Sequence, residues 1–184
     1  MDEVRRESRE LMYKGTVLEV YRDHMVFANG NTEEWDYIHH NGAAAVLPVL
    51  NNGKILMVRQ YRNALERYTW EIPAGKLDSS EEPGLVCAMR ELEEETGYKS
   101  RKFELLITIR TTVALCNEKI EIFVAKDLKR SRQNLDANEY IDVKAFSLDE
   151  LMTMILNQEI EDSKTVAAIM AYAVKHTYRY SYQK

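Results

Sequence analysis

The chain has 184 residues, 45% hydrophobic and 30% charged, with seven Gly, three Pro and a formal net charge of −5. That length holds one core-bearing domain rather than two of ordinary size, and the balance of apolar and charged residues excludes a disordered or fibrous chain. The negative balance offers no general field for a nucleic-acid backbone, so nucleic acid is not an expected partner.

The two cysteines, Cys87 and Cys116, are too few for a disulfide framework and have no neighbouring Cys or His at zinc-ligand spacing, so both read as reduced thiols. The start, MDEVRRESRE, is charged without an apolar stretch, and no later segment approaches the ~18 consecutive apolar residues of a membrane span. The expected location is the cytoplasm, with no membrane partner.

In chain order, Val17 to Arg22 and His24 to Ala28 have the β-branched and aromatic content of short strands. The turn signal Asn29-Gly30 follows, then Trp35 to Ile38. Residues 1–40 therefore predict a small antiparallel β region, separate from a main domain over 41–184. Ala43 to Leu50 and Ile55 to Tyr61, joined by Asn51-Asn52-Gly53, read as a hairpin with a largely buried strand. Thr69 to Ile72 is a short extended piece that Pro73 and Gly75 end, opening a loop through Ser80. Pro83 suits a first helical position and Gly97 the position after a helix end, which predicts a helix over 83–96. Phe103 to Ile109, Lys119 to Ala125 and Ile141 to Phe146 are further strands. Leu148 to Leu156 and Ser163 to His176 are helices, the second capped by Asp162. The tail with Tyr178, Tyr180 and Tyr182 reads as a frayed end, a strand or a contact surface. The order indicates a mixed α/β sandwich.

In the central helix, Leu85, Ala88, Met89, Leu92 and Thr96 form one stripe and are expected to face the core, leaving the opposite flank for chemistry. Glu91 and Glu95 are four apart and Glu94 is three from Glu91, so three carboxylates crowd adjacent turns. A divalent cation would reverse that repulsion, and hard oxygen ligands suit Mg²⁺ or Mn²⁺. The plain alternative is a solvated acidic helix face.

What separates the two is the coupling of this helix to the preceding loop. Gly75, then Glu81 or Glu82, then Arg90-Glu91-Leu92-Glu93-Glu94-Glu95-Thr96-Gly97-Tyr98 resembles the signature box of the Nudix hydrolases. From Gly75 to Arg90 the chain has sixteen positions where the family has fifteen, which leaves Glu81 and Glu82 both in contention for the box glutamate. The resemblance implies a Nudix α/β/α sandwich with a mixed sheet and a small N-terminal antiparallel β subdomain. It implies Glu91 and Glu95 as principal metal ligands, the carbonyl of Ala74 as another, Glu94 as a further ligand or orienting group, and Arg90 as the brace of the loop. Glu71 would meet a metal-bound water or a second ion, or else be a strand residue facing solvent.

Further segments extend the resemblance and make it closest to the ADP-ribose pyrophosphatase group: His40-Asn41-Gly42-Ala43, Val58-Arg59-Gln60-Tyr61-Arg62, Glu71 to Asp78, Asn117-Glu118-Lys119-Ile120 and Glu159 to Thr165. In that group the Arg-Gln-Tyr-Arg segment lies near the substrate. Arg59 and Arg62 are thus candidates for the diphosphate, Arg62 preferred, because a guanidinium fork pairs with two phosphate oxygens; the alternative for either one is a brace of the sheet edge. Glu139 is the implied general base, with a solvated loop glutamate as its plain reading. The chain departs from the group at Thr111 to Cys116, where a Ser-Pro-Gly type turn is common. Trp35, Trp70 and Tyr61 are candidates to stack on a base or to fill the core. The implied activity is Mg²⁺-dependent hydrolysis of the pyrophosphate in a small-molecule nucleoside diphosphate joined to another group, with ADP-ribose to AMP and ribose 5-phosphate foremost. The alternatives are hydrolysis of another nucleoside diphosphate sugar and a non-catalytic ligand-binding module of the same fold. A homodimer built through the N-terminal sheet is implied by the same resemblance.

Overall fold

The computed structural model of the protein describes residues 3–16, 18–135 and 140–177. The N-terminal sheet is made of β1 (Val4–Lys14), β2 (Glu19–Phe27) and β3 (Thr32–His39), all antiparallel. The two strands expected between residues 17 and 28 are one, and the first strand was not foreseen. Its sequence, VRRESRELMYK, carries polar side chains on both faces of an outer strand, so no period-two signal exists to find it. Asp23, which breaks the apolar run of β2, is buried and takes both arms of Arg9 from β1 at 2.5 and 2.6 Å.

The main sheet has the order β7-β4-β10-β9, with β4 (Ala43–Pro48), β7 (Ala74–Lys76), β9 (Lys102–Arg110) and β10 (Lys119–Lys126). It is mixed, because β10 runs parallel to β4 and the other pairs are antiparallel. A second antiparallel sheet, β12-β5-β6, is formed by β5 (Ile55–Arg62), β6 (Arg67–Glu71) and β12 (Asp142–Phe146). The pair β8 (Tyr98–Lys99) and β11 (Lys129–Arg130) completes the strands.

The hairpin expected from Ala43 to Tyr61 keeps its turn but not its strand pairing. Only the bridge Val49 to Ile55 joins the two strands, since β7 and β10 already occupy both edges of β4. Likewise Ala74 to Lys76, expected as loop, is a strand along β4.

Helix α1 (Gly84–Thr96) packs on one face of the main sheet, and α2 (Leu148–Leu156) and α3 (Ser163–Thr177) on the other. The alternation of β4 shows why: Ala43, Ala45 and Leu47 meet Ile122, Leu151 and Ile169, whereas Ala44 and Val46 meet Ala88, Phe123 and Leu92. A strand covered on both faces reads as the unbroken apolar run seen here. Asp162 caps α3 as expected, accepting from the Thr165 amide at 3.0 Å. Glu139 and the Tyr178, Tyr180, Tyr182 tail lie outside the described residues.

Candidate active site

The site is assembled where the short edge strand β7 crosses the start of the helix layer. Val46 N donates to Pro73 O and Leu77 N to Gly42 O, so alternate residues of this segment bond β4. Ala74, between them, turns its own N–H and C=O to the free edge. Its N–H meets the Glu95 carboxylate at 3.1 Å, and its carbonyl shares that edge. At Gly75 a Cβ would stand 1.8 Å from the nearer Glu91 oxygen, so only glycine lets the carboxylate lie against the strand.

The buried face of α1 differs from the expected stripe. Cys87, Ala88, Glu91, Leu92, Glu95 and Thr96 are buried, while Leu85 and Met89 are 40% and 42% exposed. The small side chains of Cys87 and Ala88 let the helix approach Ala44 and Phe123 closely, which rotates the contact face toward the glutamates. Glu91 and Glu95, expected on a free flank, are therefore 8% and 6% exposed under the 73–78 segment. Burial, with the Glu91 charge beside it, pushes the Cys87 thiol up to about 12.

Arg90 ties helix to loop. Its guanidinium reaches Glu91 at 2.5 Å, Glu94 at 3.2 Å and the Lys76 carbonyl at 3.1 Å, with Asp78 and Glu82 at 3.7 and 3.8 Å. Burial works against its charge, but the Glu91 carboxylate more than offsets this and raises its pKa. The loop also separates the two contending glutamates. Glu82 accepts from the Asp78 amide at 2.7 Å and faces Arg90, whereas Glu81 is exposed and contacts neither. Counting back from Arg90 thus reaches the glutamate that faces Arg90.

Glu71 is 2% exposed, not a strand residue facing solvent. It receives Arg62 on both oxygens at 2.7 and 2.6 Å, Lys164 at 2.5 Å and the Thr69 hydroxyl at 2.6 Å. Burial pushes this carboxyl up, but Arg62 and Lys164 outweigh it and hold it at about 2. Lys164 also reaches Asp162 at 3.0 Å, and Thr165 links Asp162 to the Ile72 amide. This chain of charges fastens the β6–β7 junction to the start of α3.

A cleft of about 700 Å³ lies over these groups, lined among others by Arg62, Ala74, Glu91, Glu95, Glu118 and Lys164. Arg62 thus reaches the cleft, but Arg59 does not. The two are three apart on a strand, so Arg59 points to the opposite face, 4.9 Å above the Tyr68 ring and 3.9 Å from Asp142. Glu94 does not line the cleft; its recorded partner is Arg90. Of the aromatics, Trp70 packs edge-on against Phe146 in the core, Tyr61 pairs with Tyr68, and Trp35 packs on Phe27 in the N-terminal sheet.

Lys164, Asp162 and Glu118 are cleft residues to which the sequence assigned no chemistry. Glu118 accepts from the Thr111 hydroxyl at 2.6 Å and stands 3.6 Å from the His40 ring. The available signals were the Asn-Glu-Lys and Glu159 to Thr165 segments, whose spacing to the box is set only by folding. The donors that converge at the edge of β7, two carboxylates and a main-chain carbonyl, are hard oxygens that suit a divalent cation. Two carboxylates and one carbonyl fall short of the six oxygens of an octahedral ion, so the set fits an ion that keeps several water ligands.

A family model described as the NUDIX domain matches residues 39–169, from the end of the N-terminal sheet into α3. The chain belongs to the Nudix family. It is a Nudix pyrophosphohydrolase, and Nudix hydrolases are generally dependent on divalent metal. It is 41% identical to a methanol dehydrogenase activator of Bacillus methanolicus, over 91% of this chain and 93% of that protein. It is 36% identical to an ADP-ribose pyrophosphatase of Bacillus subtilis, over 91% of each. An ADP-ribose pyrophosphatase of Mycobacterium tuberculosis is 30% identical, over 89% of this chain and 80% of that one. Among solved structures, an ADP compounds hydrolase shares the fold with a TM-score of 0.84 at 20% identity, over 96% of each chain. No helix among the described residues is long and apolar enough to cross a membrane.

Proposed function

We propose that this Nudix hydrolase cleaves the pyrophosphate of a nucleoside diphosphate joined to another group, with Mg²⁺ as the working metal and Mn²⁺ as a substitute, and that ADP-ribose, giving AMP and ribose 5-phosphate, is its substrate. The observation that carries the reading is the meeting of Glu91 and Glu95 with the free edge of β7 at Ala74 and Gly75. Glu91, Glu95 and the Ala74 carbonyl would hold the ion, which when bound offsets charge on the phosphoryl oxygens and lowers the pKa of a bound water. Arg90 holds Glu91 in place and crosslinks it to the loop; Glu94 orients Arg90. Arg62 and Lys164 present cationic edges to the diphosphate while Glu71 fixes their positions. Arg59 is assigned to the opposite face rather than to the diphosphate. Glu139 is the proposed base that takes the proton of the attacking water.

The choice of ADP-ribose is supported by the two pyrophosphatase relatives. The test is turnover of a panel of ADP-, GDP- and UDP-linked sugars with and without Mg²⁺. ADP-ribose is expected to be the preferred substrate, and a preferred GDP- or UDP-sugar would overturn that choice.

The name of the Bacillus methanolicus relative favours a second reading, in which this chain acts on another protein. Glu95→Gln tests the first. Loss of turnover supports the hydrolase, whereas turnover undiminished at saturating Mg²⁺ sinks the metal assignment.

A homodimer through the N-terminal sheet, residues 1–40, belongs to the same proposal, as does a cytoplasmic location. The dimer is supported by the exposed apolar side chains Leu11, Met12 and Tyr13 on the outer strand β1. Sedimentation of the purified chain at twice the monomer mass is the expected result.

A further inference from the structure

A second pocket, of about 690 Å³, adjoins the cleft across Arg90, where β8 and β11 meet the flank of α1. In a chain of net charge −5, its lining carries Lys99, Arg101, Lys102 and Lys129 against two carboxylates, besides Arg90, whose guanidinium is taken by Glu91 and Glu94. Both carboxylates are engaged: Glu93 by Lys99 at 3.7 Å and by the Ser131 hydroxyl, Asp127 by Lys102 at 2.5 Å. Arg101 and Lys129 are exposed and, among the described residues, have no acidic partner. Moreover Lys99 and Lys129 are register partners across the two strands, an arrangement of like charges that costs stability, and of the two only Lys99 has a carboxylate, Glu93, beside it.

The carbonyls at the end of α1 do not supply a negative partner for Lys129. They are met by the Ser131 and Asn134 amides and the Gln133 side chain, so their partial negative charge is already satisfied. The half-exposed Met89 supplies an apolar side chain to the same lining. Its volume lies within the range of about 300–1,000 Å³ usual for small-molecule sites and far exceeds what a lone phosphate fills.

We infer that this pocket is a second binding site, for a phosphorylated small molecule of nucleotide size. The phosphate lies between the Arg101 fork and Lys129, and the apolar portion lies against Met89. The site stands independently of the substrate chosen above, since none of these three residues lines the catalytic cleft.

The test is an NMR titration of the full-length protein with AMP, without divalent metal, following the Met89 methyl signal, assigned by Met89→Leu. A saturable shift is expected, weakened at least tenfold in Arg101→Ser/Lys129→Ser, whose melting temperature and turnover stay within experimental spread of the parent. The inference is overturned by no shift at Met89, or by equal saturation in the double variant. Inorganic phosphate saturating as tightly as AMP would show an adventitious anion only, and a short single-stranded oligonucleotide preferred over AMP would show a polymer-binding face instead; each overturns it too.

Discussion

Glu71→Gln isolates the charge network that fastens the β6–β7 junction to α3. The substitution keeps shape and removes charge, leaving Arg62 and Lys164 facing a neutral amide. Holding a carboxyl at about 2 against an ordinary 4.5 corresponds to about 3 kcal/mol of stability at neutral pH. Lys164 retains Asp162 at 3.0 Å, so the loss lies near the low end of the range of about 3–5 kcal/mol for breaking a buried pair. For a chain of this length the melting temperature should fall by roughly 6–12 °C at pH 7. The sign of the pH dependence follows from the depressed pKa. The contribution is fully present above the unfolded value and is lost as pH falls toward the folded one, so about 2 kcal/mol remains at pH 3.5 and about 1 at pH 3. Urea unfolding of both proteins between pH 7 and pH 3 should show the gap narrowing by more than half. A gap that is constant with pH, or absent at pH 7, would refute the reasoning, because the stabilisation would then not be the ionic network described.

Gly75→Ala should lower kcat about 100-fold at saturating Mg²⁺, because a methyl group displaces the Glu91 carboxylate by an ångström or more; turnover within threefold of the parent would count against the site. Arg62→Ala should lower kcat/KM at least tenfold and Arg59→Ala less than threefold, because only Arg62 lines the cleft; comparable losses in both would count against that placement. Asp162→Ala should cost about 1 kcal/mol or more in chemical unfolding, through loss of the α3 cap and of a Lys164 partner. Alkylation of the native protein at pH 8 should label Cys116 well before Cys87, whose thiol is buried and pushed up to about 12; labelling at equal rates would contradict the packing under α1.

How much was legible varies with the kind of signal. Strong local chemistry read well: Pro83 and Gly97 bracket α1 to within a residue, Asp162 caps α3, and the run from Arg90 to Gly97 keeps its spacing because a helix converts sequence distance directly into position. Signals that depend on a partner strand read poorly. β1 was missed because an outer strand with two polar faces has no period, and the Ala43–Tyr61 hairpin was expected because a good turn does not reveal that both edges of β4 are already taken. The burial of Glu91 and Glu95 was missed for a related reason, since hydrophobicity favoured Leu85 and Met89 over the small Cys87 and Ala88 that determine how closely the helix sits.

The sequence by itself determined the family, the α1 carboxylates and the glycine beside them, because all lie within one short loop and helix whose geometry is local. Only the tertiary structure put Glu82 rather than Glu81 beside Arg90, separated Arg62 from Arg59, and joined Lys164 to Glu71 across 93 residues of chain, with Asp162 behind it. Those outcomes depend on which strand edge is free and on which side chains meet in a buried space, and such contacts between distant segments leave no periodicity in a single sequence.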